Sequence, residues 1–307
     1  MAKVFIDGSA GTTGLRIADR LRQRSDLQLI QLPEELRKNP QARREAFLSA
    51  DIIFLCLPDA AAVEAVALAE GSGAKIIDTS TAHRTNSQWV YGFPELKGQR
   101  EKIRAGKRIA NPGCHASGFI ALIAPLVQEG MLSSDTALSC FSLTGYSGGG
   151  KTMIGEYQAT ERSSLRDGPR QYGLSQQHKH LPEMQKLCGL TQAPVFCPIV
   201  CDYYCGMEVS VPLFSHQLRG SMEQLKDLYR VYYREGLVRY RDEADVDGLL
   251  SAAAFANQDD MEITVQGNAE RLVLTARFDN LGKGASGAAI QNMNLLLGLA
   301  EDTGLCV

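Results

Sequence analysis

Seven residues into the chain, a short apolar strand runs into three glycines set three residues apart. Lys3-Val-Phe-Ile-Asp7 leads into Gly8-Ser-Ala-Gly-Thr-Thr-Gly14, and a helical stretch from about Thr12 to Gln23 follows with Leu15, Ile17, Ala18 and Leu21 as its apolar face. Strand, glycine-rich turn and helix in that order predict a βα unit whose turn can cradle a pyrophosphate at a helix N-terminus. The spacing is Gly-x-x-Gly-x-x-Gly rather than the commoner G-x-G-x-x-G, yet the physical logic carries over. Gly8 allows the turn, Gly11 lets the backbone approach a phosphate, and Gly14 lets the helix pack on the strand. The candidate cofactor-binding residues are therefore Gly8, Ser9, Ala10, Gly11, Thr12, Thr13 and Gly14. A plain turn of small residues is the alternative.

The same alternation continues. Leu27–Leu32 reads as a second strand, followed by Pro33-Glu-Glu-Leu-Arg-Lys38 where an NAD site would carry an acidic residue. Arg37 and Lys38 suit the 2′-phosphate of NADP, whereas Glu34 or Glu35 would suit the unphosphorylated cofactor; the basic pair favours NADP. Asp51–Leu57 is a continuous apolar run, the pattern of a strand buried on both faces. Pro58-Asp59 opens an Ala-rich helix with Asp59 expected as its N-cap. Ala74–Asp78 is a fourth strand, running into the polar loop Thr79-Ser-Thr-Ala-His-Arg84. Ligands bind at such strand ends in open α/β sheets. The expected fold class is α/β, with a Rossmann-type, doubly wound parallel sheet through about residue 110.

Residues 109 to 119 break this rhythm with chemistry. A short strand ends in Asn111-Pro-Gly, then comes Cys114 and an apolar helical run from Phe119 to Val127. A cysteine just past a tight turn, opening a helix, sits where unpaired N–H groups and the macrodipole favour an anion. Thiolate is the form that attacks carbonyl carbon. Cys114 is the candidate nucleophile, with a buried structural cysteine as the alternative.

Beyond it the texture changes. Ala137–Thr144 reads as a strand entering Gly145-Tyr-Ser-Gly-Gly-Gly-Lys151, a loop able to wrap an anion with backbone N–H groups and Lys151 as a point charge. Residues 156 to 175 are polar and read as an exposed or subunit-contacting segment. His178-Lys-His-Leu-Pro-Glu183 opens a short helix, and in a strand-like loop the two histidines would point to opposite sides, so that only one faces Cys114. Met207–Phe214, Met261–Val265 and Arg271–Phe278 alternate as half-polar strands around an amphipathic helix from Ser221 to Arg234. The closing segment, Asp279 to Leu297, is a glycine-rich loop feeding an apolar helix expected to pack back on the first domain. The expected organisation is a cofactor domain of residues 1–113 plus 285–307, and an α+β catalytic and oligomerisation domain with a mixed sheet over residues 114–284.

Composition narrows the field. Net charge is −3, with no basic stripe, which argues against a nucleic-acid or anionic-membrane partner. No apolar run approaches the ~18 residues of a spanning helix, and no signal peptide is evident, so a cytoplasmic setting is expected. The eight cysteines then read as free thiols, and Cys197, Cys201 and Cys205, four residues apart, are spaced too widely for a compact metal motif. No metal is expected.

The set Gly8–Gly14, Asn111-Pro-Gly-Cys114, Gly145–Lys151, His178-x-His180-x-Pro-Glu183 and Lys283-Gly-Ala-Ser-Gly-Ala-Ala-Ile-Gln-Asn-Met-Asn294, in that order, resembles N-acetyl-gamma-glutamyl-phosphate reductase of the arginine pathway in its shorter form (type 2). More distantly it resembles aspartate-semialdehyde dehydrogenase. The resemblance implies NADPH-dependent reduction of an acyl phosphate to an aldehyde through a thioester on Cys114. The alternative is an aspartate-semialdehyde dehydrogenase-type reductase on another acyl phosphate. It further implies His178 or His180 as acid/base, with His178 preferred, and Glu183 as a group that orients an imidazole or sits in a helix's first turn. Arg84, Lys151, Ser147 and Glu183 are implied as substrate contacts, and Ser80, Asn280, Gly284 and Gln291 as residues near the nicotinamide. A homo-oligomer, dimer or tetramer, is expected. One departure stands out: where the family usually has Tyr-Pro after the nucleophile, this chain has His115-Ala116.

Overall fold

The computed structural model describes residues 1–307, which divide into two compact units. The first comprises Met1–Pro94, Gly98–Pro112 and Ala285–Leu305; the second comprises Glu95–Lys97, Gly113–Gly284 and Cys306–Val307.

The first unit is a wholly parallel six-stranded sheet. Its strands are β1 (Ala2–Asp7), β2 (Leu27–Ile30), β3 (Ile52–Leu55), β4 (Lys75–Asp78), β5 (Val90–Tyr91) and β6 (Arg108–Ala110), in the order β2-β1-β3-β4-β6-β5. The chain leaves β1 in one direction to β2 and returns on its other side as β3, so the topological switch lies at β1, the strand that carries Gly8. Helices α1 (Thr12–Leu21), α2 (Pro40–Ser49), α3 (Asp59–Leu68) and α4 (Gln99–Ala105) make the crossovers. Ile17, Ala18 and Leu21 are buried on α1, whereas Leu15, expected on that face, is 44% exposed. Helix α2 escapes a reading by periodicity because its apolar face is narrow. Its start is set by chemistry: the Asn39 side chain accepts the Ala42 N–H at 3.0 Å and Pro40 occupies the first turn. Asp59 is not the N-cap of α3 as expected. Pro58 holds that position, and the Asp59 carboxylate accepts the N–H and hydroxyl of Thr81.

In the second unit, α5 (Cys114–Gln128) is buried on every side from His115 to Leu126, as an apolar helix must be to lie in a core. Pro125 sits inside it without breaking it. Proline removes the donor that would pair with the Ala121 carbonyl, and that oxygen accepts the Tyr233 hydroxyl at 2.6 Å instead. Around α5 the remaining elements are β7 (Ser139–Gly145), α6 (Gly150–Gln158), β8 (Arg170–Gln171), α7 (Leu181–Cys188), β9 (Val195–Cys201), β10 (Met207–Phe214), α8 (Met222–Tyr232), β11 (Val238–Tyr240), β12 (Met261–Gly267) and β13 (Arg271–Phe278). They form a seven-stranded mixed sheet, ordered β11-β12-β13-β10-β7-β9-β8. Ser221 and Gln224 close a reciprocal capping box at the start of α8. The glycine-rich segment 145–151, expected as an open anion loop, is instead coiled: a 3₁₀ turn at Tyr146–Gly149 runs straight into α6. The last helix, α9 (Gly287–Leu297), belongs to the first unit, where Ala289, Ile290 and Met293 pack among Val4, Ile6 and Ile109.

Candidate active site

Cys114 is the first residue of α5, with Gly113 in extended conformation as its N-cap and no side-chain cap. The Gly113 N–H is instead taken by Glu183 Oε1 at 2.8 Å, a buried carboxylate in the first turn of α7. Cys114 itself is half-buried. On its other side a π-helical turn, Gly282–Ser286, brings Gly284 so close that a Cβ there would lie 3.0 Å from the Cys114 Cβ and 3.1 Å from the Asp279 carbonyl. Only glycine fits. Lys283, next in that turn, is buried with Glu95, its Nζ 2.7 Å and 2.9 Å from the two carboxylate oxygens.

The histidines correct one expectation. His178 and His180 lie in a turn that winds into α7, with His180 as its N-cap and the His178 Nδ1 accepting the His180 N–H at 3.2 Å. Their rings therefore converge rather than splay, with centroids 4.8 Å apart, and each lies within 6 Å of the ring of His115 (5.7 and 5.6 Å). Burial, reinforced by Lys179, pushes the His178 imidazole down to about 4. Burial pushes His115 down to about 3, helped by His178 and Lys179. Both are neutral near pH 7, the form that accepts a proton or divides its nitrogens into one donor and one acceptor.

His115, Tyr172 and Ser142 received no role from the sequence. His115 Nδ1 lies 2.7 Å from the Ser142 hydroxyl and its Nε2 2.7 Å from the Tyr172 hydroxyl. Burial, and secondarily the charge of Cys114, holds the Tyr172 phenol above its ordinary range. The available signals were position alone: His115 follows Cys114, and Tyr172 stands six residues before His178.

Arg84, implied as a substrate contact, has two of its donors held by the backbone. It is buried, with Nε donating to the Asn111 carbonyl and Nη2 to the Thr79 carbonyl, both at 2.9 Å. It clamps the Asn111-Pro112 turn to the end of β4. The Ser80 hydroxyl donates to Asp78 Oδ2 at 2.7 Å, and that carboxylate is also 2.6 Å from His83 Nδ1. Asn280 links two loops of the second unit: its Oδ1 accepts the Gly206 N–H at 2.9 Å and its Nδ2 donates to Ser147 Oγ at 3.0 Å. Gln291 donates to Glu301. Lys151 is exposed in the first turn of α6.

Within the first unit a cavity of about 500 Å³ opens beside Gly8, Ser9 and Ala10, and is also lined by Arg22, Arg37 and Lys38. The glycine turn fits a dinucleotide. A Cβ at Gly8 (φ +86°) would lie 2.3 Å from the Cys56 carbonyl, and one at Gly14 2.5 Å from the Gly8 carbonyl. At Gly11 it would meet nothing nearer than 3.6 Å. Folding explains the first two, whereas Gly11 has room for a side chain. Beneath the turn, Asp7 and Arg43 form a buried ion pair at 2.7 Å. Desolvation raises the Asp7 carboxyl despite that partner.

Residues 3–105 match the family model for the semialdehyde dehydrogenase NAD binding domain, and residues 114–280 match that for the semialdehyde dehydrogenase dimerisation domain. The chain is 43% identical to N-acetyl-gamma-glutamyl-phosphate reductase 2 of Nostoc sp., over 99% of each chain. It is 44% identical to N-acetyl-gamma-glutamyl-phosphate reductase of Burkholderia lata, over 97% of each. Among solved structures, aspartate semialdehyde dehydrogenase II of Vibrio cholerae complexed with ASA superposes with a TM-score of 0.72 at 15% identity, covering 97% of this chain and 98% of that one. Aspartate semialdehyde dehydrogenase with NADP from Candida albicans gives 0.68 at 15%, again covering 97% and 98%. At such identity these two speak for the fold alone.

Proposed function

The chain belongs to the semialdehyde dehydrogenase family, among the N-acetyl-gamma-glutamyl-phosphate reductases, and we infer that it reduces N-acetyl-L-glutamyl 5-phosphate to N-acetyl-L-glutamate 5-semialdehyde and phosphate in arginine biosynthesis. The observation that carries the catalytic reading is the seating of Cys114 at the open N-terminus of α5, beside converging histidines.

In this reading the Cys114 sulfur attacks the acyl carbon, the C–O bond to phosphate breaks, and a thioester remains. The helix N-terminus favours the attacking anion. NADPH, when bound, supplies the hydride that takes the thioester to a thiohemiacetal. The alkoxide so formed draws a proton from solvent, and His178, neutral and close to His115 and His180, takes that hydroxyl proton as the adduct collapses to aldehyde and frees the thiolate. Lys151, exposed at the start of α6, is our choice for the contact to a substrate anion. Arg84 and Glu183 are positioning residues that hold the turn before Cys114 from its two ends.

NAD(P) binding belongs to the first domain. NADP over NAD rests on Arg37 and Lys38 lining the cavity beside Gly8, where they suit a 2′-phosphate. The dimerisation domain goes with a homo-oligomer. We assign its contact to the outer sheet face where Phe141 and Val195 stand 45% and 56% exposed. A reducing cytoplasm suits eight cysteines that form no disulfide, and no helix is long and apolar enough to cross a membrane.

The deciding assay is phosphate-dependent NADP⁺ reduction with N-acetylglutamate semialdehyde, run beside aspartate semialdehyde. Wild type should turn over the first substrate, and Cys114→Ala should turn over neither while still binding NADPH. Activity surviving in Cys114→Ala would remove the thioester route, and preference for aspartate semialdehyde would remove the substrate assignment.

A further inference from the structure

The residue that departs from the family pattern, His115, is tied into a hydrogen-bonded string whose direction can be worked out. Ser142 lies on β7 with no exposure, and His115 Nδ1 is the one partner of its hydroxyl. A buried hydroxyl hydrogen without an acceptor costs about 1–3 kcal/mol, so Ser142 donates to Nδ1. A neutral imidazole has one acceptor and one donor nitrogen. Nε2 therefore carries the hydrogen and donates to the Tyr172 oxygen at 2.7 Å. The phenol's own hydrogen is thereby left to be given elsewhere, next to the ring of the residue that follows the nucleophile.

We propose that the Tyr172 hydroxyl donates a hydrogen bond to the acyl oxygen of the substrate held at Cys114, with His115 as the positioning residue that aims it and Ser142 as the group that sets the His115 tautomer. The proposal rests on the thioester reading above. As sulfur adds to the acyl carbon, the carbonyl oxygen gains negative charge, and a fixed donor already aimed at it stabilises the transition state more than the bound substrate. A histidine suits the aiming role here because it stays neutral: burial holds it uncharged, so the donor at Nε2 persists across the working pH range. The edge-on contacts of His115 with Phe196 and His178, at 5.3 and 5.7 Å, keep the ring from turning. Because His115 follows Cys114 in α5, its bond to Tyr172 ties the phenol to the start of the same helix. No group transfer is asked of Tyr172; its proton stays on oxygen.

The test joins kinetics to a tautomer measurement. Tyr172→Phe keeps the ring and removes the donor; kcat should fall by about 10²–10³-fold with KM nearly unchanged, and with NADPH affinity and the rate of Cys114 alkylation by iodoacetamide as in wild type. Ser142→Ala, which touches no substrate, should lower kcat by about tenfold. His115→Gln, whose amide can donate from the place of Nε2, should recover most of the activity lost in His115→Ala. In ¹⁵N-histidine-labelled wild type, His115 should carry its hydrogen on Nε2. A Tyr172→Phe enzyme with kcat within about twofold of an active wild type, or a hydrogen on Nδ1 of His115, overturns the proposal and leaves the thioester reading standing. If Tyr172→Phe does not fold, the wild-type spectrum decides. Wild type inactive on both semialdehydes removes the thioester reading and this proposal together.

Discussion

The carboxylate of Glu183 and the backbone N–H of Gly113, 70 residues apart in sequence, meet at 2.8 Å in the interior of the second unit. A side chain in the first turn of α7 thus holds the residue that precedes α5, the helix that begins at Cys114. Removing it should leave a buried donor without an acceptor. Glu183→Ala should lower stability by about 1–3 kcal/mol and depress kcat, while Glu183→Gln, which keeps an acceptor oxygen, should recover most of the stability. Denaturant melts of the three proteins check this.

Gly284 is the second support of the nucleophile. An added methyl would sit 3.0 Å from the Cys114 Cβ with the Asp279 carbonyl at 3.1 Å, so neither can yield without moving backbone. Gly284→Ala should displace Cys114 by a fraction of an ångström and reduce kcat by about 10²-fold, with a smaller change in KM. Steady-state kinetics separate the two parameters.

The ion pair of Lys283 with Glu95 is buried on both sides. Breaking one half leaves a charge in the core. Lys283→Met should destabilise by about 3–5 kcal/mol. The double variant Lys283→Met/Glu95→Gln should regain part of that loss, as thermal melts would reveal.

Two histidines make acid unfavourable to this fold. His115 and His178 are held at about 3 and about 4, below the ordinary 6.5 that the unfolded chain would show. As pH falls below 6.5 the unfolded chain takes up protons that the folded one refuses, so stability declines from pH 6.5 down to about 4 for His178 and about 3 for His115, and is recovered as pH rises. Tm should therefore drop from pH 7.5 to pH 5, and His115→Gln should make the drop shallower. A slope unchanged by that variant would assign the acid sensitivity to other groups.

Cofactor choice is tested at Arg37 and Lys38. Because both line the cavity beside Gly8, the double change to alanine should lower the ratio of kcat/KM for NADPH over NADH by about 10–100-fold. The NADH value itself should move little. An unchanged ratio would discard the 2′-phosphate assignment.

What the linear chain could reveal follows from what is local. The apolar run at Ile52–Leu55 needs burial on both faces and so announces a parallel strand. The alternation in Met207–Phe214 and Arg271–Phe278 announces a sheet with one open face. Glycines in place after a strand announce a phosphate-sized turn. Where local signals misled, a distant partner had intervened. Asp59 looks like a cap, yet it serves the loop at Thr81. The triple glycine at 148–150 looks like an open loop, yet Asn280 fastens Ser147 and the segment coils.

By itself the sequence determined the βα alternation that opens the chain, the α/β class of the first domain and the mixed sheet of the second, and the nucleophile candidate at Cys114, because periodicity and turn chemistry act over a few residues. Only tertiary structure decided what gathers at the start of α5: the Glu183 bond to Gly113, the Gly284 contact, the convergence of three imidazoles and the string from Ser142 through His115 to Tyr172. Each of these joins residues distant along the chain, and hydrogen-bond geometry at 2.7 to 2.8 Å is set by how helices and sheet pack, which no short stretch of sequence encodes.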